Sequence, residues 1–366
     1  MDARTDPYPS TAAASSGGGL LIDATAPALD PATRLLGLSL LRRLVLAARR
    51  AGFQAVQVVA PDAGEAARLG RLVAGIPEAQ VSSDTGRLAS AATVVPADLL
   101  GEVGWLTALR TGSGDAADAL RLTDATSLAA ARVRLLKGLA KATDGFMSKH
   151  FARPISIAVS RRIVDWGVTP NQMTFVCMLI GLAAAPFFLA DPGRLQVIGG
   201  LLFVAHSVLD GCDGELARLT FRESRFGGLF DFASDNAVHV VIFGCMGWGW
   251  YVAGGGLWPI ALGISAVLGA GGSALAVYWL TLRRKPEGAA GSGPVYTSVA
   301  GPQRRSERLT RMLDNLSRRD FIYLVFVLSI FGKADWFLAV AGIGAPVFLL
   351  LVLVVSLRER LAAGRG

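Results

Sequence analysis

An α/β amino-terminal domain with a parallel sheet, followed by an all-α bundle of six membrane-spanning helices, is the fold class this sequence predicts. Three observations carry the prediction. Short apolar runs alternate with amphipathic ones up to about residue 128, the alternation expected of a parallel sheet with helices on its faces. Apolar segments that can each be extended to roughly 20 residues fill the chain from about residue 170, enough to span a bilayer. Lysines and arginines gather in alternate loops between those segments, as they do on the inner side of a membrane.

Composition agrees. Of 366 residues 52% are hydrophobic, and the mean hydropathy is +0.47. The length suggests two domains, at ~150 residues each. The net charge of +8 is not a nucleic-acid footprint, because the basic residues sit beside apolar segments, where a membrane surface accounts for them. Cys177, Cys212 and Cys245 lie in or beside apolar stretches and make no disulfide framework, so buried free thiols are expected.

Taken in order, residues 1–19 are small and polar (STAAASSGGG) and read as a disordered tail. No apolar core follows a basic start there, and no Gly-Lys-Ser/Thr follows the glycines, so neither a secretory signal nor a phosphate loop is expected. Residues 20–128 form the α/β domain. LLID is a buried strand, Leu35 to Gly52 an amphipathic helix closed by a glycine, Ala55 to Ala60 a second strand, Gly64 to Ala74 a helix, and AATVVPADLL a later strand with its exit loop. Residues 129–169 are a linker. A basic helix carries Arg132, Arg134, Lys137 and Lys141, and a second helix, about Pro154 to Trp166, alternates apolar residues with Arg161 and Arg162. The second suits the membrane interface, with snorkelling arginines. His150 is expected to be interfacial and not a ligand.

Residues 170–366 are the membrane domain. Helices are expected at Met173–Leu189, Leu195–Arg218, Phe226–Val252, Leu257–Leu282, Phe321–Phe331 and Trp336–Leu357. With a cytoplasmic amino terminus the outer loops hold only Arg194 and Lys333 as bases. The inner loops hold Arg218, Arg222 and Arg225, then a second, longer basic run from Arg283 to Arg319. That asymmetry predicts a multi-pass protein of the cell (inner) membrane with both termini cytoplasmic.

The chemistry concentrates between Asp210 and Asp235, DGCDGELARLTFRESRFGGLFDFASD. Asp210, Asp213 and Ala217 are spaced i, i+3, i+7 and line one face of a helix, while Asp231 and Asp235 stack one turn apart on the next. Gly211, Gly214, Gly227 and Gly228 carry no Cβ, so backbone or ligand can approach closely. Four carboxylates at membrane depth repel one another unless a cation intervenes. Hard oxygen donors without cysteine or paired histidine favour Mg²⁺ or Mn²⁺ over zinc, commonly held together with substrate phosphates. The residues therefore point to a metal-dependent site for a phosphate or pyrophosphate compound. The bland reading, a solvated helix pair balanced by Arg218, Arg222 and Arg225, is opposed by the apolar runs on both sides. His206 and His239 lie one turn from Asp210 and Asp235, and packing inside the bundle is the expectation for both.

The array Asp210-x2-Asp213-Gly214-x2-Ala217-Arg218-x8-Gly227-x3-Asp231-x3-Asp235 resembles the complete signature of the CDP-alcohol phosphotransferase family. The resemblance implies a six-helix membrane bundle. It also implies that Asp210, Asp213 and Asp231 bind Mg²⁺ (or Mn²⁺), two ions in all, on the CDP pyrophosphate, and that Asp235 is the general base toward an acceptor hydroxyl. Gly214, Ala217, Arg218 and Gly227 would shape the nucleotide pocket, with Asn171 and Thr174 of Pro-Asn-x-x-Thr contributing from the first membrane helix. The implied partners are a CDP-linked donor (CDP-diacylglycerol or a CDP-polyol), a polyol or polyol-phosphate acceptor, membrane lipid and a second copy in a homodimer. Two roles are open for the basic loop 283–320: attraction to anionic lipid, or an acceptor-phosphate pocket from Arg283, Arg284 or Lys285 with Arg318 or Arg319, since guanidinium forks suit phosphate.

LLGLSLLRRLVLAARRAGFQAVQVV, residues 35–59, resembles a helix–strand unit of the sugar-nucleotide cytidylyltransferases. The loop after LLID, ATAPALDPATR, has neither the glycines nor the lysine of that family, so a degenerate, non-catalytic domain is expected. DGFMSKHFARPIS followed by VTPNQMT is similar to proteins that fuse an inositol-phosphate cytidylyltransferase to a di-inositol-phosphate phosphate synthase. Three functions stay open: a CDP-diacylglycerol-dependent synthase, a soluble-donor enzyme of the di-inositol-phosphate type, and a cation-binding transporter or pseudoenzyme.

Overall fold

The computed structural model describes residues 19–90, 93–112, 119–140, 147–189, 194–280 and 321–363. The expected tail up to residue 18, and Arg283, Arg284, Lys285, Arg318 and Arg319, fall outside the described residues. Two compact units emerge. One comprises Met1–Leu139 with Val164–Gly167 and Leu219–Phe221, and the other Ala140–Ile163, Val168–Arg218 and Arg222–Gly366.

In the first unit the described elements are β1 (Gly19–Asp23), β2 (Arg34–Leu35), β3 (Leu38–Ser39), α1 (Leu40–Arg50), β4 (Ala55–Val59), α2 (Ala63–Leu72), β5 (Ala79–Ser82), α3 (Gly86–Ser90), β6 (Val94–Pro96), α4 (Val103–Thr111) and α5 (Ala125–Lys137). Strands β5, β4, β1 and β6 form, in that order, a parallel sheet in which Ile22 pairs with Val58 on one side and Val95 on the other. β1 is central, which is why its apolar run Leu20, Leu21, Ile22 is buried on both faces. Leu41, Leu44 and Val45 of α1 close over the sheet in one apolar core.

The helix expected from Leu35 begins instead at Leu40. Leu36 and Gly37 both take positive φ (48° and 83°), the turn of a two-residue hairpin, so Arg34–Leu35 pairs antiparallel with Leu38–Ser39. Ser39 then caps α1 by accepting from the Arg42 amide. Leu35 and Leu36 are as buried as the helix core, so the apolar spacing runs through the hairpin without a break. At the other end Gly52, with φ of 95°, takes the chain out of α1 as expected. Arg43 is buried with it, donating from Nη2 to the carbonyls of Leu35 and Leu36 at 2.9 and 3.1 Å. Burial lowers its pKa to about 10, so it stays charged at neutral pH. Its guanidinium lies 6.0 Å from the ring centre of Phe221, which packs on the same core.

The second unit is helical: α6 (Arg153–Ile163), α7 (Pro170–Ala184, continued by a 3₁₀ turn Ala185–Phe188), α8 (Arg194–Thr220), α9 (Arg225–Trp250), α10 (Trp258–Leu280), α11 (Phe321–Ile330) and α12 (Trp336–Ala363). Thr169 and Gln172 form a capping box around Pro170, which fixes where α7 starts. Five helices, Pro170–Phe188, Leu195–Thr220, Arg225–Gly255, Trp258–Leu280 and Trp336–Leu357, are long and apolar enough to cross a membrane. The fifth expected segment is present as the apolar helix α11, of which ten residues are described. Among the described residues there are thus five candidate spans and one shorter apolar helix.

Phe203, Val238, Ile242, Phe243, Ala266, Val325 and Leu338 form the bundle core. The helices approach closely where side chains are absent. A Cβ on Gly181 would lie 2.7 Å from Val238, and one on Gly269 would lie 2.5 Å from the Pro346 nitrogen of α12. A Cβ on Gly271, two residues further, meets only a Val240 methyl at 3.9 Å. Gly269→Ala is therefore expected to destabilise the bundle by about 1–3 kcal/mol through overpacking against fixed backbone, with Gly271→Ala close to neutral. Thermal unfolding in detergent checks this; equal midpoints for the two variants would contradict the α10–α12 packing.

Candidate active site

α8 and α9 are joined by a four-residue turn, with Ser224 capping α9 through a 2.9 Å bond from the Gly227 amide. The two helices bring their acids together. Carboxylate oxygens of Asp210, Asp231 and Asp235 all lie within 4.8 Å of one another. Asp210 and Asp235 are each only 7% exposed and Asp231 is half-buried. Like charges this close and this dry strongly favour a cation among them. The donor set is hard oxygen from three carboxylates, and it fits Mg²⁺ or Mn²⁺.

Asp213 is held differently. Its Oδ2 accepts from the Thr174 hydroxyl at 2.5 Å, and its Oδ1 accepts from the Gly214 amide. Thr174 is 2% exposed on α7, so α7 reaches the motif through a side chain that the Pro-Asn-x-x-Thr spacing had singled out. The structure therefore groups Asp210, Asp231 and Asp235, whereas the resemblance groups Asp210, Asp213 and Asp231.

The other motif positions pair up. A Cβ on Gly214 would lie 3.3 Å from Arg218 Nη1, so the glycine makes room for a guanidinium one turn on. A Cβ on Gly227 would meet Asn171 Oδ1 at 3.1 Å, which puts α7 and α9 side by side at the motif. Ala217 accepts the Arg222 amide at 2.9 Å as α8 ends.

Sequence reasoning missed the part His206 plays. It is 1% exposed and stacks on Phe203. Its Nδ1 lies 2.9 Å from the Cys177 carbonyl; a carbonyl can only accept, so that nitrogen carries the proton. Nε2 is thereby turned toward Asp235, 3.6 Å from Oδ1. The i, i+4 spacing of His206 and Asp210 was the available signal, since it places both on one face of α8. His239 packs among Phe203, Phe243 and Phe321.

A cluster of hard carboxylates on two membrane-type helices defines the class of site, one that could hold a metal ion. A sequence model of the CDP-alcohol phosphatidyltransferase family matches residues 167–301, the stretch that holds Asp210, Asp213, Asp231 and Asp235. A bifunctional IPC transferase and DIPP synthase of Thermococcus kodakarensis is 43% identical over 109 residues, 30% of this chain and 24% of that protein. An archaetidylinositol phosphate synthase of Pyrococcus horikoshii is 35% identical over 79 residues, 21% of this chain and 40% of that protein. A CDP-diacylglycerol–serine O-phosphatidyltransferase of Mycobacterium leprae is 34% identical over 76 residues, 21% of this chain and 24% of that protein. The chain thus spans less than half the length of each of these relatives.

Thr174→Val keeps the volume and removes the hydroxyl that orients Asp213. Mn²⁺ affinity, read by electron paramagnetic resonance of the free ion, is expected to fall roughly tenfold, as for other partners that orient a ligand. An unchanged affinity would mean that Asp213 does not serve the cation.

Proposed function

We propose that this chain is an integral-membrane CDP-alcohol phosphotransferase. It moves a phospho-alcohol or phosphatidyl group from a CDP-linked donor to a hydroxyl of a polyol or polyol-phosphate acceptor and releases CMP. The observation that carries the reading is the convergence of Asp210, Asp231 and Asp235 within 4.8 Å inside the matched domain.

In this reading Asp210, Asp213 and Asp231 would hold two Mg²⁺ or Mn²⁺ ions. Bound there, divalent cations offset charge on the donor pyrophosphate and on the departing CMP. Asp235 accepts the proton of the acceptor hydroxyl as that oxygen attacks the phosphorus beyond the cytidine. His206, whose Nε2 stands 3.6 Å from the same carboxylate, would donate to it and orient it when the ring carries both protons. Asn171 against Gly227, and Arg218 over Gly214, flank the donor, the two glycines making room for these side chains. The asymmetry of Lys and Arg supports a site on the cytoplasmic side of the cell membrane.

The donor is open between two classes. The match to bifunctional relatives favours a soluble CDP-polyol of the di-inositol-phosphate type, and the match to a CDP-diacylglycerol-dependent relative favours a lipid donor. For the α/β unit we propose no nucleotidyl transfer. In a sheet of this order a ligand would sit at the carboxyl ends of β1 and β6, where the strand order changes direction. There the fully buried Asp98 accepts the Ala28 amide at 2.9 Å and faces Arg121 at 3.2 Å. The chain's own loop after β1 is thus bonded to the acid that a nucleotide-bound metal would need.

Purified protein with Mg²⁺, offered CDP-diacylglycerol or CDP-inositol with glycerol phosphate or inositol phosphate, tests the function through CMP release. Asp235→Asn should cut turnover by roughly 10²–10⁴, the usual range for a general base, with donor affinity largely kept. Near-normal turnover in that variant would remove Asp235 from the base role. No CMP from any donor would favour a cation-binding transporter or pseudoenzyme.

A further inference from the structure

On α8, Glu215 stands two residues beyond Asp213 and therefore points to the other side of the helix, since two residues turn it by about 200°. It is 0% exposed. A carboxylate so placed would be costly if it were not gripped, and it is gripped from three sides. Oε1 accepts from Arg153 Nη1 at 2.9 Å and from the Ser156 hydroxyl at 2.7 Å, while Oε2 accepts from the Ser160 hydroxyl at 2.7 Å. Arg153, Ser156 and Ser160 follow i, i+3, i+7 spacing and form one stripe of α6. Ser156 and Ser160 are 1% and 0% exposed. Gly211, one turn before Glu215, completes the fit. A Cβ there would stand 3.2 Å from Arg153 Nη1 and 3.5 Å from Ser156 Oγ, so its absence lets the guanidinium cross α8.

We propose that Glu215, with Arg153, Ser156 and Ser160, is a positioning network of the active site. It fixes the rotation and height of α8, and through them the aim of Asp210 and Asp213. An apolar seam between α6 and α8 would bind the helices together at least as well, but it would allow small rotations and slides. A carboxylate whose two oxygens are taken by three donors on successive turns of one face admits a single register. Ligand groups must be held within about 0.5 Å and 10–20° of their working geometry. A network behind the helix supplies that constraint without touching substrate or ion. The inference rests on the reading of Asp210 and its neighbours as a cation site.

The test is Mn²⁺ binding by the full-length chain in detergent, followed by electron paramagnetic resonance alongside thermal unfolding. The variants are Glu215→Gln, Ser160→Ala, the double variant Arg153→Leu/Glu215→Leu, and Asp210→Asn. Glu215→Gln should weaken Mn²⁺ binding about tenfold, the scale on which partners that orient a ligand act, and Ser160→Ala should shift it less in the same direction. The double variant removes both charges of the pair together. It should recover the thermal midpoint of the parent chain and still bind Mn²⁺ weakly, a split that a merely structural clasp would not give. Parent-like Mn²⁺ affinity in the double variant and in Ser160→Ala, with Asp210→Asn weakened, would overturn the positioning role alone. Parent-like affinity in Asp210→Asn would overturn the cation site and the network with it.

Discussion

Mutual repulsion among acid side chains in an apolar setting is the constraint on which the helical unit depends. Three carboxylates within 4.8 Å, two of them buried, are tolerable only with positive charge among them or protons on them. The neighbouring features read as responses to this. Thr174 and the Gly214 amide hold Asp213, His206 faces Asp235, and Arg218 lies along the helix beside Gly214. Thr174 and the Gly214 amide each give a hydrogen bond to a carboxylate oxygen. Small residues let α7, α8 and α9 come close enough for these contacts, as at Gly181, which lies against both Val238 and His206.

Much of this was legible in the chain. Asp210, Asp213, Asp231 and Asp235 stand out because charge in an apolar run is expensive, and their helical spacing puts each pair on one face of its own helix. Long apolar segments gave the helices nearly to the residue at Arg194–Thr220 and Trp258–Leu280. The hairpin at Arg34–Ser39 was hidden because Leu35 and Leu36 are buried like helix residues; only the positive φ of Leu36 and Gly37 distinguishes them. The edge strand Ala79–Ser82 escaped notice for the opposite reason, since its side chains are half-exposed and carry no clear alternation.

What stayed hidden in the site depends on which helices meet. Nothing in the spacing of Glu215 tells it apart from a solvated acid at the end of a span, and Arg153 and Ser160 look like parts of an interfacial helix. Their meeting is tertiary, 55 to 62 residues apart in the chain. The grouping of Asp235 with Asp210 and Asp231 is of the same kind. A periodic pattern gives the face of a helix, and only the packed structure shows which atoms on two faces come nearest.

The turn between α8 and α9 has a geometric consequence. Asp210 lies ten residues before the last residue of α8, and Asp235 lies ten residues after the first residue of α9. Because the joining segment is so short, the pair works as a ruler folded at its midpoint, with matching marks on its two arms. At 1.5 Å per residue those marks sit about 15 Å from the fold. The two acids are thereby held level with each other across the helix pair, and lengthening either arm by a single residue would turn one of them by about 100° away from its partner.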